Sequence, residues 1–227
     1  MGLANLLTAL GYTARSGEFG VLAREARRRA WSNWRHIGVR RDLTQPFDAP
    51  AARIPITIRP LRDDDIPLLL DSKLAGASGR DPYVHMHRLN FLQAGLPTCY
   101  VAATEEDRPV FIQWLLEPKD NDRIQAYFGE RFPLLAPDEA LLEFGYTVAA
   151  FRGLRIMPAA LAIIAALAAD FGARYVISFS DSQNTAALKG LMRAGFSPYM
   201  ERTDHWRCFR RRCTFDPLPA GTPFPFE

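Results

Sequence analysis

A short turn that carries Arg152 and Arg155 is the first place in this sequence where chemistry could be done. The turn follows a strand-like run at residues 141–148 and precedes an apolar helical run at residues 157–171. A helix N-terminus presents unpaired backbone N–H groups and the positive end of the helix dipole, which suits phosphate. The planar guanidinium fork of arginine also matches phosphate oxygens. We therefore predict that this turn holds a phosphate-bearing cofactor rather than being only a solvated turn.

A glutamate inside the strand before this turn, Glu143, is the candidate general base. Burial on a central strand would raise the pKa of the carboxyl group toward the range of a working base. Strict alternation along the strand predicts one face with Glu143, Gly145 and Thr147, and another with Phe144, Tyr146 and Val148. A carboxylate that is simply paired with an arginine fits the sequence equally well. Glu139 and His205 are secondary candidates.

The elements around this strand follow a regular order. Residues 141–196 have the pattern strand, helix, strand, helix, and Asn184 stands where it could cap the second helix. Residues 56–59 predict a first strand, residues 99–103 and 110–116 a hairpin, and residues 198–202 and 206–210 a final pair of strands joined at residues 203–205. The polar segment 120–137 is long enough to be an insertion that covers a site.

The segment resembles the GNAT family of acetyltransferases. Four runs carry the resemblance: Tyr146-Thr147-Val148, the loop from Phe151 to Met157, Asn184-Thr185-Ala186-Ala187, and Arg193-Ala194-Gly195-Phe196. The resemblance implies an α/β domain at residues 54–216, in which helices flank a mixed, mostly antiparallel twisted sheet, with an N-terminal helical extension. Arg155 and Met157 stand where the family's pyrophosphate loop has small residues, so the loop is degenerate. The tyrosine that often serves as general acid in the family falls at Leu191.

The resemblance also implies an activity, the transfer of an acyl group, most simply acetyl, from acetyl-CoA or another acyl-CoA to an amine by direct attack. The cofactor contacts that it implies are Thr147, Val148, Arg152, Gly153, Leu154, Arg155, Ile156, Met157 and Asn184. A backbone N–H near Thr147 or Val148 would polarise the thioester carbonyl, and Asn184 would meet the pantetheine arm. Glu143 is the expected base, and Tyr146 or Tyr199 could donate the proton in place of the missing tyrosine.

Two other functions fit the same residues. The altered loop and the basic clusters are compatible with an acyl carrier protein as the donor, and the missing glycines are compatible with a non-catalytic binding module of the same fold. The acceptor would be a small-molecule or carrier-bound amine. In the family its pocket is formed by the regions that correspond to residues 72–96 and 120–137, whose composition indicates no particular acceptor.

Residues 21–41 are predicted to form a basic amphipathic helix, with Trp31 and Trp34 near its apolar stripe and arginines over most of the rest. One interpretation is a helix that lies on an anionic membrane surface. The other is a helix docked on the domain with solvated arginines. A proline-containing linker follows, so that residues 1–53 form an extension, and residues 217–227 form a proline-rich tail. A second basic cluster lies at residues 207–212.

Composition indicates a cytoplasmic protein, with peripheral contact at the inner membrane face as an alternative. The chain of 227 residues is 48% hydrophobic and carries a net charge of +3. Its three cysteines lack metal-ligand spacing, which favours reduced thiols. We see neither a run long enough to span a membrane nor the basic start of a signal peptide. We expect no metal and no nucleic-acid partner, and the sequence leaves a homodimer open.

Overall fold

The strand that carries Glu143 lies in the middle of an eight-stranded sheet. The computed structural model describes residues 19–70, 81–96 and 98–226. The strands are β1 Trp31–Asp42, β2 Thr57–Pro60, β3 Cys99–Ala103, β4 Pro109–Leu116, β5 Glu139–Thr147, β6 Tyr175–Asp181, β7 Ser197–Arg207 and β8 Arg210–Pro217. The helices are α1 Phe19–Ala30, α2 Asp65–Leu70, α3 Asp81–Gln93, α4 Asn121–Phe128, α5 Ile156–Ala166 and α6 Thr185–Arg193. Short 3-10 turns cover Pro118–Asp120, Ala149–Phe151 and Leu167–Phe171.

The sheet is mixed and mostly antiparallel, as predicted. Its strand order is β2-β3-β4-β5-β6-β1-β7-β8. Every neighbouring pair is antiparallel except β5 and β6, which are parallel. The hairpin of β3 and β4 is confirmed, but the turn predicted at residues 203–205 is wrong. β7 continues to Arg207, and the chain reverses at Cys208 and Phe209, which both have positive φ angles.

The helix predicted across residues 21–41 is wrong beyond Ala30. The chain continues from Trp31 as β1, which pairs with β6 on one side and β7 on the other. Arginine is a good helix former, so the local pattern favours a helix. The run Ile37-Gly38-Val39 is nevertheless buried between two partner strands, and this pairing overrides local propensity. Residues 31–42 therefore belong to the same sheet as residues 57–217, and residues 1–18 lie outside the described part of the chain.

This correction removes the basis for an interfacial helix that carries both tryptophans. Trp31 is an exposed strand residue stacked on Arg207, with the guanidinium carbon 4.0 Å from the ring centroid. Trp34 is half-buried and donates a hydrogen bond from Nε1 to Asp181 Oδ2 at 2.9 Å. Within the described ranges, no helix has the length and apolar character that a membrane span requires.

The sheet separates two apolar layers. On one face, α5 and α6 pack with Val39, Leu115 and Leu142. On the other face, α2, α3 and α4 pack with Trp114 and Leu141. Because Leu141 and Leu142 are adjacent on β5, they contribute to opposite layers, so β5 is buried on both sides at this point.

The linker between β1 and β2 is fixed against the first layer. Arg41 is buried and donates hydrogen bonds to the carbonyl oxygens of Ala162 on α5 and Ala194 at the end of α6. Arg53 donates its backbone N–H to Leu154 O at 2.8 Å, so the linker contacts the loop that precedes α5. The segment predicted as a simple linker therefore helps to position the predicted phosphate-binding loop.

We predict that Gly38→Ala destabilises the protein, because β1 packs tightly between β6 and β7. An added Cβ would lie 2.7 Å from both Met200 Cγ and Phe179 Cε1. We expect the free energy of unfolding, measured by urea denaturation, to fall by about 1–3 kcal/mol. Thr57→Ala, at an exposed position of the edge strand β2, is the control and should change it by less than about 0.5 kcal/mol. Unchanged stability in Gly38→Ala would contradict the position of β1.

Candidate active site

The parallel strands β5 and β6 separate toward their carboxyl ends. Their pairing runs only from Glu139 opposite Tyr175 to Leu142 opposite Ser178, although β5 continues to Thr147 and β6 to Asp181. A cavity of about 720 Å³ lies at this separation. Its lining comes from both layers, with Met157 and Leu161 of α5 on one side and Arg88 of α3 and Phe128 of α4 on the other. The cavity therefore connects the two faces of the sheet.

A β-bulge in β5 marks the point where the strands separate. Phe144 has a φ of 60°, and two bulge residues, Phe144 and Gly145, lie opposite the single residue Gln113 of β4. Glu143 is paired with Trp114, and Tyr146 with Ile112. Directly opposed residues share a face, and so do residues two apart. Glu143 and Tyr146 therefore lie on the same face, and the prediction from strict alternation that they lie on opposite faces is wrong.

Side chains from two neighbouring elements hold this bulge. Gln113 Nε2 donates hydrogen bonds to the carbonyl oxygens of Glu143, at 2.8 Å, and Trp114, at 3.2 Å. Arg88 of α3 donates from Nε to Phe144 O and from Nη2 to Gly145 O, both at 2.9 Å. A Cβ at position 145 would collide with Gln113 Oε1, so a larger residue would require the Gln113 side chain to shift. The bulge carbonyls thus find their partners on α3, outside the strand ladder.

Glu143 lines the cavity at the bulge. Burial raises the pKa of its carboxyl group, and the positive charges of Arg131, Arg202 and Arg88 oppose this rise without cancelling it. A carboxyl group with a raised pKa accepts a proton more readily than an ordinary surface glutamate. The predicted general base is therefore placed in the cavity with an electrostatic environment that suits the role.

The other predicted acids and bases do not line the cavity. The Tyr146 ring is buried, with the guanidinium carbons of Arg88 and Arg152 at 4.8 and 5.5 Å from its centroid. Glu139 accepts a hydrogen bond from the backbone N–H of Ala136 at 3.1 Å. His205 bridges Asn33 and Thr214, with both contacts at 3.1 Å. Tyr199 packs beside Phe179 and Arg40.

The predicted phosphate loop has the backbone of a glycine-rich turn although it contains arginine. Gly153 has a φ of 82°, and Arg155, which precedes α5, has a φ of 58°. Non-glycine residues adopt this region rarely, and at a cost in stability. Arg152 and Arg155 are exposed, and Arg152 Nε donates to Thr147 O at 3.3 Å. The loop thus presents two exposed cationic side chains at the start of a helix.

The backbone N–H groups predicted to hold phosphate are those of Arg152 to Met157, of which that of Arg152 already donates to Ala149 O at 3.3 Å. Ile156 and Met157 carry N–H groups, but Pro158, the next residue, has none. Leu154 is half-buried and its carbonyl is bonded to the linker, while Ile156 is buried. A phosphate bound here could contact both the remaining N–H groups of residues 153–157 and the exposed side chains of Arg152 and Arg155.

Only one of the two predicted contacts for a thioester carbonyl has suitable geometry. The backbone N–H of Val148 donates to Val110 O of β4 at 3.0 Å, so it is already engaged. Because of that bond, Thr147 and Phe111 form a non-hydrogen-bonded pair. The N–H of Thr147 therefore points away from β4. The N–H of Thr147 therefore faces the side from which β6 has separated, and Thr147 remains the candidate.

Met157 and Asn184 are the predicted cofactor contacts that line the cavity. The Asn184 side chain accepts a hydrogen bond from the backbone N–H of Ala187 at 3.2 Å, which confirms the predicted helix cap. Met157 lies against α6 at Gly190, where an added Cβ would come within 2.9 Å of Met157 Sδ. A glycine on α6 thus makes room for the side chain that stands where the family has a small residue. Leu191 adds a further apolar wall.

A histidine and several arginines in the cavity wall were not among the residues predicted from the sequence. His36 of β1 lines the cavity and is only 6% exposed. Burial, together with the charge of Arg202, lowers the pKa of its imidazole to about 3, so the ring is neutral at physiological pH. Arg131 and Arg211 also line the cavity. The excess of arginine near both ends of the chain was the available signal, but the role of β1 had to be known before His36 could be placed.

The segment 120–137, which was predicted to be an insertion that covers a site, contributes residues to the cavity wall. It contains α4, and Tyr127, Phe128 and Arg131 from this region line the cavity. Of the other predicted acceptor region, residues 72–80 lie outside the described part of the chain, whereas His87 and Arg88 line the cavity. The described residues of both predicted regions therefore meet at one cavity.

Comparisons with known proteins are informative only at the level of structure. No protein-family model matches the chain, and no curated protein matches it. A GCN5-related glucosamine N-acetyltransferase region of a fungal multi-domain GH3 β-N-acetylglucosaminidase is similar, with a TM-score of 0.56 and 14% identity. The match covers 76% of this chain and 21% of the fungal chain.

Two bacterial structures give weaker matches. A GNAT-family acetyltransferase from Colwellia psychrerythraea has a TM-score of 0.49 and 14% identity, and the match covers 84% of this chain and 59% of that one. A GCN5-related N-acetyltransferase from Sphaerobacter thermophilus has a TM-score of 0.46 and 15% identity, with 87% and 55% covered. We base the fold assignment on the fungal region and on the separated parallel pair of the sheet. The chain has the GNAT fold.

Proposed function

We propose that this protein is an acyltransferase that moves an acetyl or other acyl group from acyl-CoA to an amine. The observation that carries this proposal is the cavity between β5 and β6, which joins both faces of the sheet and has Glu143 in its wall. A donor could enter from the side of α5 and α6, and an acceptor from the side of α3 and α4. The two reactants would then meet at the bulge in β5.

The residues on the donor side suit a thioester on a phosphate-bearing arm. Met157, Leu161 and Leu191 form an apolar wall, and Asn184 adds a polar edge. Arg152 and Arg155 are exposed at the start of α5, where guanidinium groups can contact phosphate oxygens. These features fit coenzyme A, with the phosphates held by backbone N–H groups of the loop and by the two arginine side chains.

Bound acyl-CoA would supply an acyl thioester, whose C–S bond breaks as the amine nitrogen forms a C–N bond with the acyl carbon. Glu143 would accept the proton that the amine nitrogen loses. The backbone N–H of Thr147 would stabilise the negative charge that develops on the carbonyl oxygen. A thiol with a pKa of about 8.5 leaves readily as the thiolate, so the cavity needs no proton donor at Leu191.

We predict that Glu143→Gln lowers kcat by roughly 10²–10⁴-fold without loss of acyl-CoA binding, because it removes the base and keeps the shape. In the wild type, kcat/KM should fall as the pH drops through a pKa above the usual range for glutamate, since only the ionised carboxylate accepts a proton. Steady-state kinetics against pH measures both effects. Glu139→Gln, four residues away on β5 and outside the cavity lining, is the comparison. Equal activity of the two variants would remove Glu143 from the mechanism.

We predict that the double variant Arg152→Ala, Arg155→Ala weakens CoA binding about 10–100-fold, because charge-assisted hydrogen bonds to phosphate are lost. Binding of acyl-pantetheine, which lacks the phosphates, should be unaffected. Titration calorimetry with both ligands separates the contact with phosphate from that with the arm. If the wild type binds neither ligand, a screen with an acyl carrier protein as donor distinguishes a carrier-dependent enzyme from a non-catalytic module.

We predict that Arg155→Gly alone stabilises the folded protein by about 1 kcal/mol, because glycine adopts the left-handed backbone without strain. The same change should weaken CoA binding if the guanidinium group contacts phosphate. Urea denaturation and calorimetry measure the two quantities. A variant that is less stable than the wild type would contradict the conformation of this loop.

A further inference from the structure

The cavity wall carries an excess of positive charge. The arginines that line it are Arg28, Arg29, Arg88, Arg131 and Arg211, and the carboxylates are Glu130, Glu143 and Asp181. Asp181 is engaged by Trp34 Nε1 and by the backbone N–H of Gln183, both at 2.9 Å. Glu130 is exposed. Glu143 is therefore the cavity carboxylate on which the charges of Arg131 and Arg88 act.

Among the arginines of the cavity wall, Arg131 has an Nε atom without a hydrogen-bond partner among the described residues. That atom is buried, and among the described residues no group accepts a hydrogen bond from it. Burial is the main cause that lowers the pKa of Arg202, to about 10, and the charge of Arg131 is the second. The same two causes, in the same order, lower the pKa of Arg211. Arg202 lies beside Asp204, with Nε 2.9 Å from Oδ1, so Asp204 is already paired. Arg131 therefore lies near the like charges of Arg202 and Arg211, and it shares the carboxylates of Glu143 and Asp204 with other arginines.

His36 supplies a second, independent observation at the same cavity. The ring is buried, and its Nδ1 has no hydrogen-bond partner among the described residues. Buried polar atoms are almost always hydrogen-bonded, so such an atom in a cavity wall marks a place for a ligand or water. A neutral imidazole can donate a hydrogen bond from one ring nitrogen to an anion.

One aromatic ring contacts three arginines of the cavity wall. The Trp206 ring has the guanidinium carbons of Arg28, Arg29 and Arg211 at 5.7, 5.4 and 5.6 Å from its centroid. Arg211 also donates to Phe128 O at 2.6 Å. Cation–π contacts orient a guanidinium group but leave its full positive charge. With the charges of Arg131 and Arg211 in the same wall, this part of the cavity favours anions over amines that carry further positive charge.

We propose that the acceptor is a small amine with an anionic group, a carboxylate or a phosphate, and that this group binds between Arg131, Arg211 and His36. The identity of the acceptor as an amine rests on the proposed function, whereas the anion site does not. With its anionic group held there, the amine would be directed toward Glu143 in the same cavity. Polyamines and lysine-rich peptides are disfavoured as acceptors.

The first experiment measures anion binding without acyl transfer. Inorganic phosphate and succinate are titrated at constant ionic strength into the wild type saturated with CoA, and into Arg131→Gln, Arg211→Gln and Arg131→Lys. We expect one of the two probes to bind the wild type and its Kd to rise about tenfold or more in both glutamine variants, with part of the affinity kept in Arg131→Lys. Arg123→Gln, an exposed arginine outside the cavity, is the matched control.

Stability distinguishes an anion site from a structural arginine. Because the charge of Arg131 disfavours those of Arg202 and Arg211 but favours those of Glu143 and Asp204, and its Nε has no partner among the described residues, Arg131→Gln should unfold at nearly the same temperature as the wild type in the absence of anions. Equal Kd values in the wild type, Arg131→Gln and Arg211→Gln would overturn the proposal. The proposal would also be overturned if the probe bound the CoA-free protein but not the CoA-saturated protein, because the arginines would then hold the donor phosphates.

The second experiment compares acceptors in matched pairs, glycine with glycinamide and O-phosphoethanolamine with ethanolamine, using acetyl-CoA. We expect at least one anionic member to have about tenfold higher kcat/KM than its partner, and Arg131→Gln to remove this preference through KM. Anion binding without acyl transfer by any amine would leave the site standing and contradict the proposed function. Transfer only to glycinamide and ethanolamine, which lack an anionic group, together with no anion binding, would contradict the anion site and leave the proposed function standing.

Discussion

The β-bulge at Phe144 and Gly145 is the constraint on which the rest of the site depends. It turns the carbonyls of Phe144 and Gly145 toward Arg88, while the side chain of Gln113 on β4 donates a hydrogen bond to Glu143 O. The same irregularity coincides with the end of pairing between β5 and β6. It brings Glu143 to the face shared with Tyr146 and leaves the N–H of Thr147 directed toward the opening. One local departure from strand geometry thus creates the cavity and supplies two of the groups that could act in it.

The strand β1 completes the site from a distant part of the sequence. It pairs with β6 and β7, so it closes the sheet beside the opening and adds His36 and Trp34 to the cavity wall. The helix α1 before it brings Arg28 and Arg29 to the same wall. The basic N-terminal segment therefore contributes to the pocket itself. This position explains why arginines from both ends of the chain gather around one cavity.

The sequence predicted the fold class and much of the site, because the order strand, helix, strand, helix and the arginine-bearing turn are local patterns. Glu143, Met157 and Asn184, which those patterns singled out, line the cavity. The local patterns gave wrong predictions where tertiary contacts determine the secondary structure or the direction of a side chain. Arginine-rich residues after Ala30 favour a helix locally but pair as a strand. Alternation misplaced Tyr146 because a bulge cannot be read from residue types, and Val148 was assigned a role that its bond to Val110 prevents.

The most direct test of this account is a crystal structure of the protein with acetyl-CoA bound. The account predicts that the thioester lies between β5 and β6 at the bulge, with the carbonyl oxygen near the N–H of Thr147. The arm should pass between Met157 and Asn184, and the phosphates should lie against Arg152 and Arg155. Acetyl-CoA bound with its thioester outside this opening, or with its phosphates among Arg131 and Arg211, would contradict the account.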